Sequence, residues 1–286
     1  MFEKKKLKTW SVSYWNQISR NIGLLKVSEQ EILRNTPIAI LGIGGLGGPL
    51  VEQLVRTGFE SITICDNERF EDSNLNRQVC TKKDIGKFKV DVIEKFLYKI
   101  NSDVQIKKFY KVNEKNISEV LENISVVALT LDDPITSIII SRECFNKKIP
   151  LLESWAIPYL CAWWFTSSSV DYETCYEFDT QNMTIEEIRQ SEKTLLNLKK
   201  ASFSKLLLFP NIKERFDREK GILEALLSGS IPSISLAPIV RMTASYLSFE
   251  IIFSGILNLK SMVLAPKIIG YDYFKMISFD IDLSHK

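Results

Sequence analysis

A glycine-rich loop between an apolar run and a helical segment restricts the possible folds of this chain more than any other feature. Residues 42–48 read Gly-Ile-Gly-Gly-Leu-Gly-Gly and follow the apolar run 37–41, which is typical of a buried parallel strand. Residues 49–57 have helical character, with a proline in the first turn, and the β-rich run 61–65 ends at Asp66. Together these segments, about thirty residues, predict a βαβ unit.

Strand-like and helical segments continue to alternate up to about residue 150. Helical spacing of apolar residues over 85–100 and 135–146 separates strand-like runs at 104–110 and 125–130. This alternation predicts an α/β fold of the Rossmann-like type, with a mainly parallel sheet and helices on both faces.

The second half of the chain has a different pattern. Two strand-like runs, 151–157 and 160–166, are separated only by Pro158 and Tyr159, which predicts an antiparallel turn. The segments that follow are helical at 184–200, 212–227 and 235–257 and strand-rich at 267–282. We therefore expect antiparallel strands and a helical crossover segment in this half.

The glycine loop has the sequence context of a nucleotide-binding fingerprint. Glycine permits a tight turn and close backbone approach, and the free N–H groups of a helix amino terminus attract phosphate. Asp66 lies 24 residues beyond Gly42, where a carboxylate can bond ribose hydroxyls. Two alternatives remain open: a tight turn used only for packing, with Asp66 capping the next turn, and an NAD-dependent oxidoreductase.

The side chains after Asp66 favour phosphate chemistry over hydride transfer. Asn74 and Arg77 lie in the polar stretch 70–78, and Lys89 stands near a predicted helix start. Fixed cations stabilise the charge that builds up during nucleotidyl transfer, and hydride transfer needs no such cluster. Asp132, after the strand-like run 125–130, is a candidate ligand for Mg²⁺ on the same phosphates.

Composition excludes other kinds of chemistry. The single histidine, His285, is the penultimate residue, which leaves no imidazole for a triad or a His-metal site. The five cysteines form no pair at two-residue spacing, and an odd number argues against a secreted disulfide framework, so we expect a cytoplasmic protein. A net charge of +2 gives no reason to expect a nucleic-acid or membrane partner.

The glycine loop and the motif Ser-Asn-Leu-Asn-Arg-Gln at 73–78 together resemble those of the ThiF/MoeB/HesA adenylyltransferases, relatives of the ubiquitin-activating enzyme. The similarity runs from about Ser19 to at least Pro150, and more loosely to Leu257. The resemblance implies ATP-dependent adenylation of a carboxylate with release of pyrophosphate, typically at the carboxy terminus of a ubiquitin-like or sulfur-carrier protein, or of a peptide. It also implies a homodimer and a single adenylation domain over 1–286, with a lead-in at 1–35, a nucleotide-binding half at 36–150 and a substrate and crossover half at 151–286.

The resemblance also assigns roles to individual residues. An arginine near the amino terminus of family members reaches the partner subunit's ATP site, and Arg20 is similar in placement; the alternative is a surface arginine. Asp133 is the second candidate for the magnesium role. The site residues implied are Gly42, Gly44, Gly45 and Gly47 for the phosphate-side loop, Asp66 for the ribose, Asn74 and Arg77 for the triphosphate, Lys89 for the family lysine, and Asp132 for Mg²⁺. The structural alternatives are an exposed helix charge for Lys89, a helix start for Asp132 and a loop brace for Arg77.

Two departures from the family pattern change these expectations. The family often holds a structural zinc with two CxxC pairs, but here Phe178 replaces the cysteine after Cys175 and no cysteine follows. Four thiolates therefore cannot be assembled at that place, and we predict no zinc. Ser137 stands where the family usually has an arginine.

The cysteines offer two candidate nucleophiles. Cys80 has Arg77, Lys82 and Lys83 as sequence neighbours, which favour a thiolate, whereas Cys175 lies between glutamates. The other three, Cys65, Cys144 and Cys161, are expected in the core.

Three other functions remain open: a catalytically degenerate partner-binding subunit of the same fold, adenylation of a carboxylate on a modified tRNA base, and the NAD-dependent oxidoreductase.

Overall fold

A six-stranded sheet forms the centre of the protein, and the computed structural model describes residues 10–284 around it. His285 lies outside the described residues. The sheet order is β3-β2-β1-β4-β5-β7, and a smaller sheet has the order β6-β8-β9. The strands are β1 (Ile38–Leu41), β2 (Ser61–Cys65), β3 (Gln105–Phe109), β4 (Val126–Leu129), β5 (Leu151–Glu153), β6 (Tyr159–Cys161), β7 (Trp163–Phe165), β8 (Lys267–Asp272) and β9 (Ile277–Asp282).

Helices cover both faces of the large sheet, which confirms the predicted α/β fold. Short 3₁₀ turns occur at Ser19–Asn21, Asp72–Asn74, Lys82–Asp84 and Lys205–Leu208. The helices are α1 (Val12–Ile18), α2 (Val27–Asn35), α3 (Gly47–Thr57), α4 (Lys89–Tyr98), α5 (Ile117–Val120), α6 (Pro134–Lys147), α7 (Tyr172–Cys175), α8 (Ile185–Gln190), α9 (Glu192–Ser204), α10 (Ile212–Phe216), α11 (Ile222–Leu227) and α12 (Ala237–Phe249).

Alternate residues of β1 face opposite sides of the sheet and belong to two apolar clusters. Ile38 and Ile40 pack in a cluster with α3, α4 and α12. Ala39 and Leu41 pack in a second cluster with α5, α6 and the helices α8 to α11. Full burial of a large aliphatic side chain contributes about 1.5–3 kcal/mol. Both clusters therefore hold β1 in place, and with it the glycine loop that follows.

The two strand-like runs predicted at 151–157 and 160–166 do not form a simple hairpin. β5 pairs antiparallel with β7, with Leu151 opposite Phe165. β6 leaves the large sheet and pairs with β8 instead. Two successive tight turns, in which the N–H groups of Ile157 and Tyr159 bond carbonyls two residues earlier, redirect the chain between β5 and β6.

Two of the predicted helices have different bounds because glycines interrupt them. The helix expected over 85–100 begins at Lys89, since Gly86 has a φ of +83°. The helix expected over 212–227 is divided into α10 and α11. Gly221 there has a φ of +85°, and its N–H donates to Asp217 Oδ1 at 2.7 Å.

The predicted long helix near the carboxy terminus is α12, which continues as a π-helix over Glu250–Ile256. By length and composition Ala237–Ile256 is the one segment among the described residues that is long and apolar enough to cross a membrane. Half of the most apolar 18-residue stretch of this segment is buried in the protein, and Ala244 and Leu247 lie in the core cluster beside α3. We therefore interpret it as a core helix.

The amino-terminal segment binds the carboxy-terminal end of α3. Tyr14 Oη donates to the carbonyl of Gly58 at 2.8 Å, and Gln17 Nε2 donates to that of Val55 at 2.7 Å. Asn21 Nδ2 donates to the carbonyl of Thr57 at 3.0 Å. The bonds to Thr57 and Gly58 satisfy carbonyls that the helix end leaves free, and together the three bonds fix the position of the 3₁₀ turn Ser19–Asn21.

Candidate functional site

The candidate site lies at the carboxyl ends of the parallel strands β1, β2 and β4. β1 is hydrogen-bonded to β2 on one side and to β4 on the other, so the strand order reverses direction next to β1. Open α/β sheets bind ligands in the crevice at such a reversal. The glycine loop, Asp66 and Asp132 all follow these strands directly.

The glycine loop is closed by contacts that exclude any side chain. Gly42 has a φ of +103°, and an added Cβ would lie 2.5 Å from the backbone of Thr130. An added Cβ at Gly47 would lie 1.7 Å from the carbonyl oxygen of Gly42. α3 starts directly from this loop without a side-chain cap, so its first N–H groups lie at the site.

Asp66 connects the end of β2 to the glycine loop. Its Oδ2 accepts the N–H of Ile43 at 2.8 Å, and its Oδ1 accepts the N–H of Glu68 at 2.9 Å. Burial raises the pKa of Asp66, opposed by these N–H groups and by Lys89. A carboxylate has about four lone-pair sites, so two bonds leave it able to accept from a ribose. Asp66 thus caps its own turn, as the alternative held, and keeps acceptor capacity toward the site.

Lys89 is buried, so the alternative of an exposed helix charge was wrong. It is the first residue of α4, and its Nζ lies 2.5 Å from Oε2 of Glu68, whose side chain is 66% exposed. An added Cβ on Gly44 would lie 3.8 Å from the same Nζ. A buried ammonium therefore faces the glycine loop, and its ion-pair partner is solvent-exposed.

Arg77 lies against the glycine loop and also braces its own loop. An added Cβ on Gly45 would lie 3.3 Å from its Nε. Its Nη1 donates to the carbonyl of Ser73 at 3.1 Å and to Oδ1 of Asn76 at 2.8 Å. Nε remains unpaired among residues 10–284 and faces the site.

The two asparagines of the 73–78 motif hold the loop in shape. Asn74 is buried, and its Oδ1 accepts the N–H of Glu71 at 3.2 Å. Asn76 Nδ2 donates to the carbonyl of Ser235 at 3.0 Å, which ties this loop to the segment between α11 and α12. The contacts of Asn74 are those of a loop brace, and its role toward a triphosphate stays a prediction.

Asp132 and Asp133 differ in what their carboxylates already bind. Asp133 caps α6, accepting the N–H of Thr136 at 2.9 Å and its hydroxyl. Asp132 is exposed and makes no hydrogen bond or ion pair with any described residue. Desolvation by the surrounding protein raises the pKa of Asp132, and Glu68 adds to this, whereas Lys89 and Arg77 oppose it. Asp132 is thus the available carboxylate within the field of the site's cations.

Arg20 does not join the other predicted residues. It is exposed in the 3₁₀ turn Ser19–Asn21, where the neighbouring Asn21 binds the last turn of α3. The glycine loop lies at the first turn of that helix, which has 11 residues and is therefore about 16 Å long. Arg20 makes no hydrogen bond or ion pair within the described part of the chain.

Sequence reasoning missed Gln78. The side chain is 8% exposed, and its Oε1 is buried without a hydrogen-bond partner among the described residues. An added Cβ on Gly44 would lie 3.8 Å from its Nε2. The signal was present as the last residue of the 73–78 motif, but burial of an unpaired amide cannot be read from the sequence.

The thiols of Cys65, Cys144 and Cys161 are buried in the core, as predicted. The expectation of a thiolate-favouring environment for Cys80 was wrong. Partial burial raises the pKa of the Cys80 thiol and Asp84 raises it further, with Lys89 opposing. Burial also raises the pKa of Cys175 strongly. Neither thiol has the lowered pKa of a reactive cysteine.

The region of the missing CxxC pair is an aromatic cluster. Phe178 is buried and stacks on Tyr176 at a ring distance of 5.6 Å, beside the buried Cys175. Residues 10–284 contain no group of three or more His, Cys, Asp or Glu side chains that could hold a metal ion. The absence of zinc stays a prediction. Mg²⁺ commonly binds through only one or two protein carboxylates together with substrate phosphates. Asp132 can supply such a carboxylate.

Comparison with known proteins gives matches over most of the chain. The model of the ThiF family matches residues 18–286. The adenylyltransferase and sulfurtransferase UBA4 of Saccharomyces cerevisiae, strain RM11-1a, is 28% identical over 130 residues, which cover 45% of this chain and 30% of UBA4. The tRNA threonylcarbamoyladenosine dehydratase of Bacillus subtilis, strain 168, is 29% identical over 144 residues, 49% of this chain and 56% of the relative. The chain spans less than two thirds of the length of either relative.

The solved structure of E. coli MccB with AMPCPP and MccA has the same fold. It superposes with a TM-score of 0.67 at 20% identity, over 96% of this chain and 74% of MccB. MccB has also been solved with ATP.

Proposed function

Because the chain belongs to the ThiF family, we propose that it is an ATP-dependent adenylyltransferase that activates a carboxylate and releases pyrophosphate. The observation that carries the proposal is the convergence of Lys89 and Arg77 on the glycine loop. Both side chains lie where phosphates would bind at the start of α3, and the accessible carboxylate of Asp132 lies within their electrostatic field.

The site residues divide the work of nucleotidyl transfer between them. The glycine loop and the first turn of α3 hold the phosphates, and Asp66 bonds the ribose. Lys89 and Arg77 stabilise negative charge on the α-phosphate and the departing pyrophosphate. Asp132 would hold Mg²⁺, and the bound ion would supply positive charge to the same oxygens. The substrate carboxylate attacks the α-phosphorus in line, so positioning and electrostatics supply the catalysis.

We propose that Arg20 completes the site of a second subunit, which makes the working unit a homodimer. The turn that carries Arg20 is bound to the last turn of α3, so the length of that helix, about 16 Å, separates it from the glycine loop of the same subunit. An exposed guanidinium without an internal partner is free to bind the phosphates of a neighbouring copy.

The proposed substrate is the carboxy terminus of a ubiquitin-like or sulfur-carrier protein, or of a peptide. The relatives that support this class are UBA4, an adenylyltransferase and sulfurtransferase, and MccB, which was solved with MccA. The bond from Asn76 to Ser235 brings the segment between α11 and α12 against the 73–78 loop, so this segment is positioned to cover the end of an incoming substrate chain.

We place the protein in the cytoplasm, since all five thiols are free.

A carboxylate on a modified tRNA base is the second candidate substrate. It is favoured by the match to the tRNA threonylcarbamoyladenosine dehydratase. The net charge of +2 gives no broad basic field for tRNA, so the protein or peptide substrate is preferred.

ATP–pyrophosphate exchange tests the proposal. The probes are a sulfur-carrier protein ending in Gly-Gly, a synthetic peptide with a free carboxy terminus, and bulk tRNA. The same peptide with an amidated carboxy terminus is the matched control, because it lacks only the reacting group. We expect exchange with one carboxylate probe and none with the amide.

Two lysine variants test the assignment within the site. Lys89→Met removes the buried ammonium and should lower exchange by about 10²-fold, the loss typical of one charge-stabilising donor. Lys87→Met is the control, since Lys87 is an exposed lysine paired with Asp84. Binding of AMPCPP without exchange, with every probe, would instead support a degenerate partner-binding subunit, and binding of NAD in its place would support an oxidoreductase.

A further inference from the structure

The buried ammonium of Lys89 already has an anionic partner within the chain. Its Nζ lies 2.5 Å from Oε2 of Glu68. We propose that Glu68 is a displaceable counter-ion, whose carboxylate competes with a nucleotide phosphate for the ammonium of Lys89. This inference rests on the proposed function, because it takes a nucleoside triphosphate as the competing anion.

The two partners of this ion pair differ in burial. The side chain of Lys89 is 4% exposed, whereas that of Glu68 is 66% exposed. A buried ammonium needs a partner, because removing it from water is costly unless it is paired. An exposed carboxylate is hydrated as soon as it leaves the pair, and such pairs contribute little to stability. Lys89 is therefore suited to exchange one anion for another.

The backbone around the pair does not depend on the carboxylate of Glu68. The N–H of Lys89 donates to the carbonyl of Glu68 at 3.0 Å, and the N–H of Glu68 donates to Oδ1 of Asp66 at 2.9 Å. The carboxylate itself bonds no described residue other than Lys89. Rotation of the Glu68 side chain into solvent therefore leaves the main chain of the site in place.

The pair lies inside the candidate site. An added Cβ on Gly44 would lie 3.8 Å from Nζ of Lys89, so the ammonium borders the glycine loop. Desolvation is the main reason that the pKa of Asp132 is raised, and the charge of Glu68 raises that pKa further. The charge of Glu68 is thus felt where the phosphates of a nucleotide would bind.

A phosphate and the Glu68 carboxylate cannot share the ammonium without a penalty. The ammonium has three N–H donors, but two anions bound to it would lie within about 6 Å of each other, where like charges repel. A nucleotide phosphate on Lys89 therefore favours release of Glu68 to solvent. Binding of phosphate-bearing nucleotides should be weakened by this competition, and binding of the uncharged nucleoside should not.

The test compares Glu68→Gln with the wild-type protein by calorimetric titration of AMPCPP and of adenosine. Glutamine keeps the shape and an acceptor oxygen for Lys89 but removes the charge. The dissociation constant for AMPCPP should fall about 3- to 10-fold, the effect of removing one partly exposed competing charge, with that for adenosine unchanged. Asp72→Asn is the control, because it removes the same charge from an exposed side chain of the same loop and should leave both constants unchanged.

Two further measurements show whether Glu68 acts through Lys89. In a Lys89→Met background, Glu68→Gln should change the AMPCPP constant by less than about twofold, because the ammonium for which the anions compete is absent. The gain in Glu68→Gln should also be larger at about 0.05 M salt than at about 0.3 M, since salt screens an exposed charge. A side chain that only stabilises the fold would change neither quantity.

The possible outcomes separate this inference from the proposed function. Unchanged or weaker binding of AMPCPP in Glu68→Gln would overturn the competition while leaving adenylation in place. An equal gain for adenosine would also overturn it, as would a gain that persists in full in the Lys89→Met background. A wild-type protein that binds neither compound would reject both the inference and the proposed function.

Discussion

Glu153→Gln tests how burial sets the protonation state of a carboxyl group at the end of β5. Glu153 is buried in an aromatic cluster, where Tyr176 Oη donates to its Oε2 at 2.7 Å and Tyr172 Oη to its Oε1 at 3.4 Å. Burial raises the pKa of Glu153 to about 7, although these hydroxyls lower it in part. The group is therefore mostly neutral in the folded protein at pH 5 and mostly charged at pH 8.

Whether stability rises or falls with pH depends on which state, folded or unfolded, binds the Glu153 proton more tightly. Because the folded chain binds it more tightly than the unfolded chain, stability falls as pH rises from about 4.5 through about 7. The full shift of the Glu153 pKa contributes about 3 kcal/mol to the free energy of unfolding, and about 2 kcal/mol of this stability is lost between pH 5 and pH 8. Glutamine has the same shape and no titration in this range.

The assay is urea unfolding of both proteins at pH 5 and at pH 8. The difference in free energy of unfolding, Glu153→Gln minus wild type, should increase by about 2 kcal/mol from pH 5 to pH 8. Glu224→Gln, at an exposed glutamate, should give a difference that does not change with pH. Parallel pH profiles for Glu153→Gln and wild type would refute the reasoning, because Glu153 would then titrate alike in both states.

Two further predictions concern the loop and the dimer. Gly42→Ala should destabilise the protein by at least about 2 kcal/mol more than Gly86→Ala in urea unfolding: both glycines have positive φ, but only at Gly42 does the new Cβ meet backbone. Equal losses would show that the close approach to Thr130 has no cost. Arg20→Ala and Asp132→Ala should each abolish exchange, and an equal mixture after subunit exchange should regain about a quarter of wild-type activity, because half of the dimers contain one intact site. No recovery in confirmed mixed dimers would remove the role of Arg20 across the interface.

The parts of the fold that the sequence predicted well are those fixed by local pattern. β1, the glycine loop and β2 were predicted within one or two residues, because a buried parallel strand, a tight glycine turn and the next strand each have a distinct composition. The parts that were missed depend on distant partners. β6 left the large sheet because β8, more than a hundred residues away, pairs with it. No periodicity within residues 151–166 contains that information.

The candidate site shows the same limit at the level of side chains. The motifs identified residue types and spacing, but not burial. The sequence alone is compatible with an exposed helix charge at Lys89, whereas in the fold its side chain is buried and pairs with Glu68. Cys80 has basic sequence neighbours, yet Asp84 and partial burial determine its environment in three dimensions.

The thiols determine how this protein responds to oxidants. Peroxide reacts with thiolates, and all five cysteines have raised pKa values, so little thiolate is present at neutral pH. Four of the five are also buried. The groups assigned to nucleotide chemistry are carboxylates, an amide, a guanidinium and an ammonium, none of which is oxidised under the same conditions. Its proposed activity should therefore be independent of added reductant and persist through oxidative stress that silences thiol-dependent enzymes.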